Sequence, residues 1–310
     1  MKNKFIKIFL QGTVILFFVF FLSFLTGEKF SIPSGKIFDL RLLRVLTGLI
    51  CGIALAQAGV VYQMVFSNPL ADPYLLGSSS GASLGVALLV VLSIKTPFIF
   101  PFVAGLGAFL SVILVLKICE KTFSKNTLIL IGVALNFFFS AIVILIVSLK
   151  NKQAFTILYF MMGDLSQTNR ISVGIVSVLV FALNFFIFKK ARILNGISFG
   201  SDISANLGID FKKEAKKLLI FSSLLTGCAV AISGTIGFIG LMSPHIARKI
   251  TGSDARFLLP AAGITGACLL VLSDMFARRI LYPTEIPVGV ITAILGAPFF
   301  LFLFLKNDIN

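Results

Sequence analysis

The sequence predicts an all-α membrane protein, a polytopic bundle of about ten transmembrane helices with both termini on the inner side. Three observations carry that reading. Of 310 residues, 58% are hydrophobic and only 13% charged, more apolar surface than a water-soluble fold of this size needs. The apolar residues fall in runs of ~20, each long enough as a helix to cross ~30 Å of hydrocarbon. Lys and Arg, whose excess gives a formal net charge of +15, sit between those runs. That is the pattern of a sidedness signal, and it argues against a nucleic-acid surface. The ~10-residue alternating segments of a membrane β-barrel are missing.

Ten spans are drawn at 5–27, 42–65, 76–94, 97–117, 128–148, 171–188, 217–235, 237–250, 257–277 and 287–305, within a single transmembrane domain, 1–310. The first is too long for a signal-peptide core and lacks a small-x-small cleavage site, so it is read as a retained span. The second opens on "LRLLR", which carries Arg41 and Arg44 on the outer side. Between the second and third lies "SNPLADPYLLGSSSGASLG" (67–85). Pro69 and Pro73 break the helix there, and Asn68, Asp72 and Ser78 to Ser80 can satisfy the peptide groups so freed. This segment is either a tight turn or the rim of a pore.

The longest polar inner loop, "FKKARILNGISFGSDISANLGIDFKKEAKK" (188–217), separates the sixth and seventh spans. Ser201 and Asp202 are expected to cap a short helix and Gly208 to end it. Such a helix outside the bilayer is a docking element, or else part of a solvated linker. The eighth span, "IGFIGLMSPHIARKITG" (236–252), is short, with an expected break at Pro244. His245 is the only histidine and has no second histidine or nearby cysteine to share a metal, so it is assigned a structural or gating role. The ninth span ends in "SDMFARR", where Asp274 and Arg278 stand i, i+4 and can pair. Arg41, Arg44 and Arg278 are then either a positive rim for a partner's carboxylates or snorkelling anchors.

With the N-terminus inside, 17 of the 27 basic residues fall on the inner side. Cys51, Cys119, Cys228 and Cys268 are scattered singly, so neither a disulfide nor a metal cluster is expected. There is no GxxxxGK[ST], so the chain holds no P-loop for ATP and no cofactor of its own. "GIALAQAG" (52–59) and "GCAVAISG" (227–234) echo one another at an offset of 175, as an inverted repeat would. Small residues at these spacings equally suit a tight helix interface.

Taken together, "LRLLRVLTGLICGIALAQAGVVYQMVFSNPLADPYLLG" and "GTIGFIGLMSPHIARKITGSDARFLLP" resemble the permeases of ABC importers for iron-siderophores, haem and cobalamin, the FecCD family. "IGVALNFFFSA", "MMGDL", "LGID", "LSDMFARR" and "TEIPVGVITAILGAPFF" extend the resemblance from about residue 28 to the C-terminus. It implies the fold of a type II importer permease and transport of iron-siderophore, haem or cobalamin at a homodimer interface, or between this chain and a related permease. It implies no enzyme activity in this chain, with ATP and Mg bound by two cytoplasmic ABC ATPase subunits. It further implies an extracytoplasmic substrate-binding protein docking on Arg41, Arg44 and Arg278, and a place in lipid, in the bacterial cytoplasmic membrane. ATPase coupling maps onto segment 199–217 through Asp202, Ala205, Asn206 and Gly208. The translocation gate maps onto Asn68, Leu70, Lys125 and Asn126, and the structural breaks onto Pro69, Pro244 and His245. Lys125 departs from the small hydroxyl residue frequent there, and Phe160 replaces a common tryptophan before "MMG". An ion-coupled transporter would need ionisable groups at the bilayer midplane, and the twelve acidic residues are placed in loops or near span ends.

Overall fold

The computed structural model describes residues 2–26, 35–94, 99–149, 154–166 and 169–307; Lys29, Lys95, Lys150 and Lys152 of the charge count lie outside them. Thirteen helices occur among the described residues: α1 (Lys2–Leu25), α2 (Lys36–Phe66), α3 (Ser78–Val91), α4 (Ile99–Ile118), α5 (Lys125–Leu149), α6 (Ala154–Met162), α7 (Arg170–Lys189), α8 (Ala191–Ser198), α9 (Ser201–Asn206), α10 (Phe211–Ser233), α11 (Ile239–Thr251), α12 (Ala255–Ala277) and α13 (Val288–Asn307). Leaving aside α6, α8 and α9, one helix lies on each of the ten drawn spans. Six of them, α2, α4, α5, α7, α10 and α12, are long and apolar enough to cross a bilayer alone.

The long second helix is the axis of the bundle. α2 has 31 residues, a rise of ~46 Å at ~1.5 Å per residue, and takes in "LRLLR" as its own second and third turns. α12, α10, α11 and α7 pack around it. Lipid tails are as apolar as leucine, so burial alone does not hold helices together here; close van der Waals approach does. The sequence supplies it with small residues. A Cβ on Gly59 would lie 1.8 Å from Gly240 O, so α2 and α11 touch backbone to backbone.

The sequence echo has a counterpart in space. Gly52 on α2 approaches Gly266 O on α12, and its mate Gly227 on α10 approaches Gly105 O on α4. Both members of the echo are thus points of close helix contact.

Two helices are too short to span. α3 has 14 residues and α11 has 13, rises of ~21 and ~20 Å against ~30 Å of hydrocarbon. The irregular segments ahead of them, 67–77 and 234–238, therefore reach into the bundle, where they meet: Tyr74 Oη accepts from Ile236 N at 3.2 Å. Irregular backbone survives at such depth only when protein covers it and side chains satisfy it. Asn68 Oδ1 accepts from Leu70 N (2.9 Å), Asp72 Oδ1 from Tyr74 N (2.8 Å), and Ser78 Oγ donates to Pro73 O (2.9 Å), as the composition of the stretch leads one to expect. On the other segment Thr235 N donates to Phe160 O and Asp164 N to Ser233 O.

The expected break at Pro244 is not where the chain breaks. α11 runs through Pro244 and His245 to Thr251. The interruption lies earlier, at Gly234 (φ 67°) and Phe238 (φ 67°), where the chain turns into α11. Proline within the second turn of a helix loses a single hydrogen bond, whereas the positive-φ residues must be turns. Pro69, by contrast, does sit in the interruption between α2 and α3.

Candidate functional site

The charged side chains sort by end of the bundle as the spans predict. At the predicted outer end, the C-termini of α1 and α12 meet the N-terminus of α2. Arg44 Nε lies 2.9 Å from Asp274 Oδ1 and its Nη1 2.6 Å from Glu285 Oε2. Arg278 Nε lies 3.0 Å from Asp274 Oδ2, the expected i, i+4 pair, and Nη2 donates to Ser23 Oγ at 2.7 Å. Arg41 Nη1 reaches the carbonyls of Phe24 and Leu25 at 3.4 and 3.5 Å. With Arg279 and Tyr282 these arginines line an outward cavity of about 330 Å³.

Two of the three rim arginines are already paired within the chain. The Arg44 and Arg278 side chains are only 12% and 9% exposed and share the buried Asp274. Glu285, which also lines this cavity, is half exposed where it meets Arg44. Sequence reading missed Glu285 because it sits seven residues beyond Arg278, in a different segment, with no periodic relation to Arg44.

The predicted inner gate is assembled from two distant pieces of chain. Ser67 ends α2 in a left-handed conformation (φ 49°), and Asn68 then closes the small turn that carries Leu70, itself 41% exposed. Lys125, at the start of α5, reaches this turn: its Nζ donates to Ser67 Oγ at 2.7 Å. Asn126 is exposed beside it. Asn136, one turn-pair further along α5, accepts from Ser80 Oγ (2.7 Å) and donates to Tyr74 O (3.2 Å), polar glue between α5 and the 67–77 segment.

The expected short helix exists, with different caps. α8 buries Leu194 and Ile197 against the bundle and is pinned to α12 by Asn195, which donates to Asp254 Oδ1 (2.9 Å) and accepts from Ala255 N (2.7 Å). The hydrogen-bonding Arg256 side chain holds the Asp254 carboxyl well below the usual carboxylate range. α9 then projects away. Its N-cap is Gly200, with no side-chain cap, so Ser201 and Asp202 occupy its first turn instead of capping it. The glycine wins because φ 97° at that corner excludes a side chain at low cost. Gly208 follows the helix at φ 72°, ending it as expected. Asp202, Ala205, Asn206 and Gly208 are all exposed. So are Phe199, Ile203 and Leu207, at 65%, 49% and 59%. Of these, Ile203 lies on α9 itself, Phe199 precedes the Gly200 corner and Leu207 caps the helix, so exposed apolar side chains mark both ends and the body of this short element. Buried Ser204 holds α9 to α8 by donating to Gly200 O (2.6 Å) and Gly196 O (3.0 Å).

His245 packs edge-on to Phe299 of α13, ring centroids 5.8 Å apart. No group of three His, Cys, Asp or Glu side chains comes together among the described residues.

A bundle of spanning and half-spanning helices, two irregular segments meeting inside it and a short helix projecting at one end define a class: a multi-pass transport permease. The FecCD transport family model matches residues 5–306, and the chain belongs to that family. It is a transport subunit and not itself an enzyme. It is 38% identical over 277 residues to the hemin transport system permease HmuU of Yersinia pestis, covering 87% of this chain and 83% of that one. It is 33% identical over 282 residues to the iron(3+)-hydroxamate import system permease FhuG of Bacillus subtilis (88% and 84% covered). It is 35% identical over 301 residues to the vitamin B12 import system permease BtuC of Salmonella typhi (92% and 91%). A solved metal-chelate type ABC transporter in an inward-facing conformation superposes with a TM-score of 0.89 at 30% identity, covering 97% of this chain and 99% of that one. The chain is thus an ABC importer permease, and the ion-coupled alternative falls away.

Proposed function

We propose that this chain moves a metal chelate, with ferric siderophores the first cargo class and haem and cobalamin the alternatives, as the membrane subunit of an importer built on two copies of itself. Two cytoplasmic ATPases seat on α9 through Asp202, Ala205, Asn206 and Gly208. An extracytoplasmic binding protein delivers cargo at the cavity rimmed by Arg41, Arg44 and Arg278, its carboxylates taking over the position Glu285 holds. Asn68, Leu70, Lys125 and Asn126 close the path on the inner side, in a bacterial cytoplasmic membrane. ATP stays on the partner, since the chain has no P-loop sequence.

One observation carries this reading: the apolar side chains Phe199, Ile203 and Leu207 are exposed on and beside the short helix α9, which is flanked by the positive-φ glycines Gly200 and Gly208. An apolar group of that kind on a charged inner surface is a docking face for a soluble protein. The named relatives support the cargo class, because hemin, ferric hydroxamate and vitamin B12 are all metal chelates.

The test is purification with the co-expressed ATPase and binding protein, then uptake by proteoliposomes of iron-labelled siderophore, haem and cobalamin in parallel. Nucleotide-dependent uptake of one chelate bears the proposal out; uptake by the chain alone would sink it. Gly208→Leu should leave membrane insertion intact and weaken coupling. A side chain at φ 72° costs ~1–2 kcal/mol and bends the element that the ATPase grips.

A further inference from the structure

A single lysine joins the gate turn to the base of the docking helix. Lys125 Nζ donates to Ser67 Oγ at 2.7 Å, and Ser67 Oγ donates to Ser198 O at 2.8 Å. The order of protons in this chain is forced, because an ammonium only donates and a peptide carbonyl only accepts. Ser198 is the last residue of α8, just ahead of the Gly200 corner into α9. The same ammonium lies 5.6 Å from the centroid of the Phe211 ring, at the first residue of α10. Lys125 therefore reaches the gate turn and both roots of the 199–210 excursion, one through Ser67 and the other directly.

Nothing local calls for a lysine at this point. It opens α5, where the helix dipole disfavours a cation, and no carboxylate lies within ion-pair distance of it among the described residues. What it does have is three pieces of chain, far apart in sequence, gathered on one amine. Ser67 is equally placed for transmission. It is the left-handed cap of α2, so a pull on its hydroxyl acts where the rigid helix stops. The next residue closes the Asn68 turn, whose hydrogen bond makes Leu70 travel with it.

We propose that Lys125 and Ser67 are the link by which displacement of α9 reaches Leu70: Ser67 acts as a positioning residue for the gate turn, and Lys125, a gate residue itself, ties that turn to α8 and α10. The inference rests on the reading of this chain as an ATP-driven permease with its gate at Asn68 and Leu70. It adds which atoms carry the motion between the two sites.

The experiment uses the full complex with its ATPase in nanodiscs and a Leu70→Cys reporter. Labelling by a fluorescent maleimide is timed with and without Mg·ATP and vanadate, and the parent without the reporter supplies the background from the native cysteines. The ratio of labelling rates with and without nucleotide should shrink about fivefold in Ser67→Ala and in Lys125→Gln, the change that loss of one hydrogen bond from a coupled pair of sites produces. Lys125→Arg, which keeps both the donor and the cation over Phe211, should retain the nucleotide effect. Co-purification of the ATPase should be unchanged in all three. A nucleotide effect of full size in Ser67→Ala and Lys125→Gln overturns the link while leaving the importer reading intact. Loss in Lys125→Arg as complete as in Lys125→Gln overturns it too. A reporter that ignores nucleotide in the unmutated complex overturns the gate assignment and the link together.

Discussion

The two ends of the bundle differ in how far most of their charge pairs are buried, although the outer Arg170–Asp39 pair is exposed and the inner Lys190–Glu214 pair largely covered. At the outer end Arg44, Arg278 and Asp274 are withdrawn from solvent and bonded to one another, with Asp274 only 2% exposed. At the inner end the pairs Lys216–Glu120, Lys217–Glu214 and Arg256–Asp254 keep their lysine and arginine side chains 38 to 47% exposed. Removing one partner of a buried pair leaves the other charge stranded, a loss of about 3–5 kcal/mol. Exposed pairs are screened by water and contribute little. The outer rim is therefore built to hold one shape. The inner surface is held by contacts that can part and reform, and it is there that the glycine-hinged α9 and the gate turn are found.

That contrast can be broken at several points, and the expected effects differ in size. Asp274→Ala should be the most damaging. It removes the carboxylate paired with buried Arg278 and leaves Arg44 with Glu285 alone, and should cost about 3–5 kcal/mol, read as a large drop in thermal stability of the detergent-purified protein. Survival of that variant with a near-normal melting temperature would show that the outer cluster does not hold the fold. Gly59→Val comes next, at about 1–3 kcal/mol or more from overpacking, since its Cβ would lie 1.8 Å from Gly240 O and push α2 off α11. Glu285→Gln should cost about 1 kcal/mol or less, because this carboxylate is half exposed although it shares Arg44 with Asp274. The same change should tighten capture of the binding protein, measured as a slower off-rate on immobilised permease. A weaker complex would mean that Glu285 assists docking and does not compete with it. Smallest is Lys216→Ala, which should leave the melting curve where it was, both members of that pair being well exposed.

Much of the architecture was legible in the one-dimensional pattern. Apolar runs located ten helices, the charge between them sorted their ends, and the turn chemistry of Asn68, Asp72 and Ser78 was visible as residue type. Less visible were features without periodicity. α6 is nine mostly apolar residues, too short to read as a span. Pro244 drew attention to itself, yet the chain breaks at Gly234 and Phe238, where backbone geometry and not residue type is the signal. Gly200 took the N-cap from Ser201 for the same reason. The arginines at the rim were found, but their pairing with Asp274 and Glu285 was only half found. Arg278 pairs at helical spacing, while Arg44 pairs across more than two hundred residues.

The sequence by itself determined that this is a multi-pass membrane protein and where the ten helices on its apolar runs fall. Those properties are sums over local composition, and hydrocarbon enforces them residue by residue. Only the tertiary structure decided which charges are paired and buried, that the irregular segments ahead of α3 and α11 meet at Tyr74 and Ile236, and that Lys125 sits between the turn after α2 and the start of α10. Each of these depends on bringing together residues tens to hundreds of positions apart, through backbone contacts that glycine permits and that no local pattern encodes.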